Sequence, residues 1–231
     1  ADSFNSMTIR LKELMDLTRE EEEKLREAER KELEQQLNPH FLFNTLNTIK
    51  ALASLHHEDE IYTISIKLSY LLRNALKNHS GECTIRESLE LTESYLMIQK
   101  IRFKDKISYK IICDEETLDE MAPRLIIQPF VENAIIHGLE PKTEPGHVEI
   151  RVRNDDRFIY IEVEDNGVGF DSSPLENNMK MLARSEHVGM YNVYRRLEMK
   201  YGDELKFSIN SKIGEGTLIS ISFPMEEIDE L

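Results

Sequence analysis

Three things are scarce in this sequence, and each scarcity narrows what the chain can be. No apolar run among its 231 residues approaches the ~20 that cross a bilayer, so no segment reads as a membrane helix. There are two cysteines, Cys83 and Cys113, at no metal-ligand spacing, and free thiols in a reducing compartment are the simple reading. Basic residues are outnumbered, 29 Lys and Arg against 44 Asp and Glu, for a formal net charge of −15. A chain this acidic lacks the positive surface that neutralises a phosphate backbone, which argues against a nucleic-acid partner. For the same reason any small phosphate-bearing ligand needs a metal ion and local donors. The chain opens on Ala1 rather than Met and is expected to be a fragment, so the lack of a membrane segment is not extended to the natural protein.

What is present is enough apolar residue for a core, 40%, with 32% charged, consistent with one large or two small domains carrying long exposed helices. Residues 1 to about 55 read as one helix. Phe4, Met7, Leu11 and Leu14 alternate at spacings of three and four, the seam of a coiled coil, and the register reaches Leu25 and Ala28 before shifting at Leu33 and Leu37. The seam is weak at Thr18 and Glu21, beside the acidic run Glu20–Glu23, whose simple reading is a solvated face. So polar a helix needs a partner, most simply a second copy. Pro39 is expected to kink this helix just before His40. A second amphipathic helix is predicted from about Glu60 to Lys77, completing a hairpin that, doubled, makes a four-helix bundle.

Asn78-His79-Ser80-Gly81 is the expected boundary to a mixed α/β region. There the pattern predicts helices over 85–103, 125–137 and 190–201, and strands over 107–113, 148–152, 158–164, 205–211 and 217–223. Residues 171–188 show no period, and so long a connection is usually functional or mobile. The expected division is 1–36, a signalling coiled coil; 37–80, the hairpin; and 81–231, the α/β domain.

Four short motifs carry chemistry. Asp165-Asn166-Gly167-Val168-Gly169 follows an alternating strand. A carboxylate at a strand end can accept a hydrogen bond from an exocyclic amine, and glycines after it let the backbone approach a flat ring or phosphate; a tight turn alone explains it equally well. Glu132-Asn133 are polar residues on an otherwise apolar helix and need partners. Asn can ligate Mg²⁺ and Glu can orient or deprotonate an attacking group. His137, four residues on, shares the face of Asn133, though alone it reads as a helix C-terminal cation. Gly189 before a helix and Gly214-Glu215-Gly216-Thr217 in a hairpin are weak singly; the order of all four is what carries weight. Together they look like an ATP site. His40, in Asn38-Pro39-His40-Phe41-Leu42-Phe43-Asn44, is a nucleophile type suited to neutral pH. Asn44 at i+4 sits on the same face; read alone, a buried structural histidine is the alternative.

These residues match known families. The stretch from Leu125 to Phe223 resembles the ATP-binding domain shared by gyrase, the Hsp90 chaperones, histidine kinases and MutL. Leu37 to Asn47 resembles the phosphoacceptor signature of LytS/YesM-type sensor histidine kinases, and Leu96 to Phe103 is also typical of that group. Ser3-Phe4-Asn5-Ser6-Met7 and the following helix resemble the end of a HAMP linker. The resemblance implies a Bergerat-type α/β sandwich. It makes His40 the phosphoacceptor and Asn133 a ligand of Mg²⁺, and gives Asp165 the adenine amine to read. Gly167, Gly169, Gly214 and Gly216 shape the pocket, Thr217 stands near the adenine, and a lid covers it over 171–188. It further implies a homodimer, a response-regulator partner, and the cytoplasmic portion of a bacterial plasma-membrane protein anchored through a segment absent from this chain. The sequence departs from the wider family twice. Phe41 stands where other groups place an acidic residue after the histidine, so Glu132 is taken as the base, and the lid ends in a single glycine, Gly189. An ATP-driven clamp and a non-catalytic scaffold on the same nucleotide fold are the alternatives.

Overall fold

The computed structural model of the protein describes residues 38–76, 81–173, 179, 182 and 188–225. The expected coiled coil and HAMP-like start, and most of the expected lid, lie outside the described residues. Among those described, no helix is long and apolar enough to cross a membrane.

The first described helix, α1 (Pro39–Leu55), corrects one expectation. Pro39 does not kink a continuous helix; it starts one. Asn38 is left-handed, with φ 38°, and its side chain caps the helix by accepting from the Phe41 amide, at 3.2 Å. Proline suits a first helical position, where its missing N–H has no intrahelical partner to lose. After a turn through His57, itself at positive φ, α2 (Asp59–Leu76) runs back against α1. The Arg73 guanidinium near the end of α2 lies over the Phe43 ring near the start of α1, 5.5 Å from its centroid, so the hairpin is antiparallel. Ala53 and Ser65 are buried, while Ile49, Leu52, Leu55, Ile61 and Ile66 stay exposed.

The α/β part is a sandwich. Helix α3 (Ile85–Phe103) is capped by the Thr84 hydroxyl, which accepts from the Glu87 amide. Strands β2 (Ile107–Cys113), β4 (Gly146–Asn154), β5 (Phe158–Asp165), β6 (Lys206–Lys212) and β7 (Gly216–Pro224) form one sheet in the order β2-β4-β5-β7-β6. The β2–β4 pair is parallel and the others are antiparallel. Two strands were not expected: β1 (Glu82–Thr84) and β3 (Met121–Pro123) form a small antiparallel pair of their own. Three residues each is too short for a period-two signal to stand out.

The sheet is one-sided, as the alternation dictates. Val148, Ile150, Val152, Ile159, Ile161, Val163, Ile219 and Ile221 face the core. On the other face Arg151 bonds Glu149, Glu162 and Glu164. The covering helices are α3, α4 (Gln128–Asn133) and α5 (Val188–Tyr201), which contribute Ile85, Leu96, Phe130, Val131, Val193 and Leu197 to the same core. Several predicted boundaries move by a few residues, and two of them bear on the site. Helix α4 starts at Gln128 rather than Leu125, because Leu125 is left-handed, with φ 56°. Gly189 lies inside the first turn of α5 rather than before it.

Candidate active site

Strand β5 buries every second residue, Ile159, Ile161 and Val163. Asp165 is next in that period, so the strand that builds the core also carries a carboxylate into it; only 7% of Asp165 is exposed. Burial raises its pKa from the usual 3.8 to about 6, although the amides of Gly167 and Thr217 and the charge of Lys142 oppose the rise. The Gly167 amide donates to Asp165 Oδ1 at 2.8 Å.

The surrounding loops lock by close backbone approach. A Cβ on Gly167 would stand 2.5 Å from the Gly138 backbone, and one on Gly216 would stand 2.0 Å from the Asp165 carbonyl oxygen. No side chain fits either place. The Val168 amide donates to the Gly138 carbonyl at 2.9 Å, and the Gly214 amide to the Val168 carbonyl at 2.7 Å. Ser211 ties the hairpin to the loop after β5: its Oγ accepts from the Phe170 amide, donates to the Gly216 carbonyl and lies 2.9 Å from Thr217 Oγ1.

Helix α4 begins with Pro129 in its first turn and changes pitch at its end. Ala134–Leu139 is a π-helical turn, with the Glu140 amide bonded to the Ile135 carbonyl at 2.8 Å. Such turns insert an extra residue and re-aim the side chains beside them. Gln128 Nε2 donates to Glu132 Oε1 at 2.7 Å, which fixes that carboxylate.

Two cavities meet on this helix. One, of about 280 Å³, is lined by Asn133, His137, Gly138, Pro141, Asp165, Gly169, Phe170 and Thr217. The other, of about 170 Å³, is lined by Glu132, Asn133, His137, Gly189, Met190 and two apolar neighbours. Asn133 and His137 belong to both. One end therefore offers a buried carboxylate among flat-packing backbone, and the other a carboxylate, an amide and the start of α5.

His40 is at the surface on the first turn of α1. Asn44 Nδ2 lies 3.2 Å from its Nδ1 and 3.3 Å from its Nε2. The amide therefore orients the ring by donating to whichever nitrogen carries the lone pair. The buried-histidine alternative does not hold. His40 lines neither cavity.

Of the expected site residues, the fold thus gathers Glu132, Asn133, His137, Asp165, Gly169, Gly189 and Thr217 around two neighbouring cavities that share Asn133 and His137. Gly167, Gly214 and Gly216 shape the loops behind them. Three residues with a part in this site were not singled out. Gly138 follows His137 directly, but its role depends on a residue 27 positions away. Ser211 and Gln128 carry no local signal, because a serine in a strand and a glutamine at a helix start are ordinary.

The match to known families follows this geometry. Residues 28–107 match the family model described as histidine kinase, and residues 118–227 match that of the histidine kinase-, DNA gyrase B- and HSP90-like ATPases. The sensor histidine kinase YesM of Bacillus subtilis (strain 168) is 34% identical over 221 residues, 96% of this chain. The chain belongs to the sensor histidine kinases. Two staphylococcal members are similar over 88% of it. The sensor protein kinase HptS of Staphylococcus aureus (strain USA300) is 35% identical, and an uncharacterized sensor-like histidine kinase of Staphylococcus epidermidis (strain ATCC 12228) is 36% identical. The chain spans 37% of YesM and 40% of each of the other two. Within this family the ATPase match covers every cavity-lining residue named above, and the other model covers the hairpin with His40.

Proposed function

We propose that this chain is the kinase portion of a sensor: it binds ATP, phosphorylates His40 and passes the phosphoryl group to an aspartate on a response regulator. The observation that carries the reading is the pairing, in one chain, of a buried carboxylate in a cavity with an exposed histidine oriented by Asn44. A clamp or scaffold has no use for that presented ring.

Asp165 accepts from the adenine amine, in the cavity where Thr217 and Gly169 line the ring. The triphosphate runs past Asn133 and His137 toward the α5 end. The donor set suits Mg²⁺ held by few protein ligands. Among the described residues there is no cluster of three or more His, Cys, Asp or Glu to cage a metal, whereas Asn133 with phosphate oxygens and water makes the sparse shell that this ion accepts. Bound there, Mg²⁺ neutralises phosphate charge that an acidic chain cannot.

In the reaction a ring nitrogen of His40 bonds to the γ-phosphorus. The bond from that phosphorus to the β–γ bridging oxygen breaks, and ADP leaves with the electron pair. Glu132, held by Gln128, takes the proton that the ring gives up. Most of the acceleration comes from positioning and charge neutralisation. The exposed apolar face of the hairpin, Ile49, Leu52, Leu55, Ile61 and Ile66, is the dimer surface, doubled into four helices. The hairpin presents His40 and the ATP domain supplies the nucleotide; the parent protein holds both at the inner face of a bacterial membrane.

The test is incubation with γ-labelled ATP. An acid-labile, alkali-stable label on the chain is the expected result, and no label at all refutes the kinase reading.

A further inference from the structure

The contact between the hairpin and the ATP domain runs along α2 and α3, and Arg124 pins it near the end of α2. The Arg124 guanidinium donates to the Asn74 carbonyl at 3.0 Å and to Asn74 Oδ1 at 3.1 Å. Around it lies a cavity of about 410 Å³, lined by Leu68, Leu71, Leu72 and Ala75 of α2, Leu91 of α3, and Leu125. It opens to solvent, with Leu68 and Leu125 exposed, so these apolar surfaces are not closed into one core. Tyr70 Oη donates to Glu90 of α3 one turn earlier, at 3.0 Å.

Arg124 is itself held in place. Its amide donates to the Gly81 carbonyl at 2.9 Å. Its carbonyl accepts from the Arg196 guanidinium of α5, which also reaches the Leu125 carbonyl at 3.4 Å. Leu125 follows at φ 56°, a backbone state that a leucine seldom adopts. Three residues later α4 begins and leads to Glu132 and Asn133. On the other side Asn74 adjoins Arg73, which lies over Phe43, three residues from His40. Contacts and chain neighbours in series therefore join the His40 turn to the nucleotide helix and to α5.

We propose that Arg124 is a latch. It holds the hairpin in a resting arrangement, with His40 in solvent and on neither cavity, and its release frees α2 to bring His40 to the nucleotide. Arg196 keeps the left-handed Leu125 peptide in place, so a shift of α5 reaches the latch. The inference rests on the kinase reading for its rate effect, but not for its structural effect.

The experiment compares the unaltered chain with Arg124→Gln in three measurements: ATP affinity, the autophosphorylation rate at saturating ATP, and amide hydrogen exchange. The variant should bind ATP within about twofold of the parent and label at least about fivefold faster, the lower end of coupling between linked sites. Exchange should quicken at 70–76 and 125–128. Arg124→Lys, which keeps one donor, should restore most of the parent rate. Asn74→Ala, which removes one acceptor, should shift rate and exchange the same way by less, and it serves if Arg124→Gln does not fold. A rate unchanged or lowered in a folded variant overturns the latch, as does unchanged exchange. If the parent takes no label, the kinase reading fails, and the exchange result alone decides the latch.

Discussion

A methyl group on Gly138 would stand 2.9 Å from Asp165 Oδ1. The glycine leaves room for the one buried carboxylate of the cavity, and both residues line it. Gly138→Ala should push the carboxylate aside without unfolding the sheet. ATP affinity should fall on the order of tenfold to a hundredfold, about 1.4–2.8 kcal/mol, as read by calorimetry. Affinity equal to the parent's would mean that Asp165 does not contact the nucleotide.

Asp165 gives a pH dependence with two signs. Its pKa is raised from 3.8 to about 6, so the folded state holds the proton more tightly than the unfolded chain does. The stability this contributes is fully present below pH 3.8 and is lost as pH rises through about 6. A shift of about two units corresponds to at most about 3 kcal/mol. Asp165→Asn removes the buried charge, so it should raise Tm by several degrees at pH 8 and leave it nearly unchanged at pH 4. A lower Tm at pH 8 would contradict the burial cost.

The same carboxylate must be ionised to accept from the adenine amine. ATP affinity of the parent should therefore decline as pH falls through about 6. In Asp165→Asn at pH 8 it should drop on the order of 2–3 kcal/mol, the loss of a charged hydrogen-bond partner. Titration of the parent with GTP should show clearly weaker binding; equal affinity would remove the adenine-reading role.

His40→Gln should abolish the acid-labile label and leave ATP binding intact. Asn44→Ala should keep the label but slow its formation by roughly tenfold, since the ring loses its orienting partner. Label surviving in His40→Gln would move the phosphoacceptor elsewhere.

The dimer is tested through its face. Light scattering at micromolar concentration should give twice the chain mass of 27.0 kDa. Leu52→Glu, at a side chain 53% exposed in the single chain, should give one chain mass with the ATP domain still folded. A monomeric parent would sink the four-helix bundle.

Much of this was written locally. The alternation of Phe158 to Asp165 determined both the strand and the depth of its last carboxylate, because period two carries every second side chain to the same face. Asn133 and His137 share a wall of the site because a helix places residues four apart together, even where the last turn widens. The Asn38-Pro39 pair determined a helix start, although proline inside an apparent heptad was readable as a kink. The difference lay in the left-handed Asn38, which no pattern reports. What only the tertiary structure decided are relations between distant positions: Gly138 beside Asp165, Gly167 against Gly138, Ser211 bonded across the loops, and Arg124 reaching Asn74. Each depends on how separate elements meet, at separations of tens of residues. The left-handed Leu125 belongs with them: its own apolar run favours a helix, and contacts to α2, α5 and Gly81 around Arg124 outweigh that local preference.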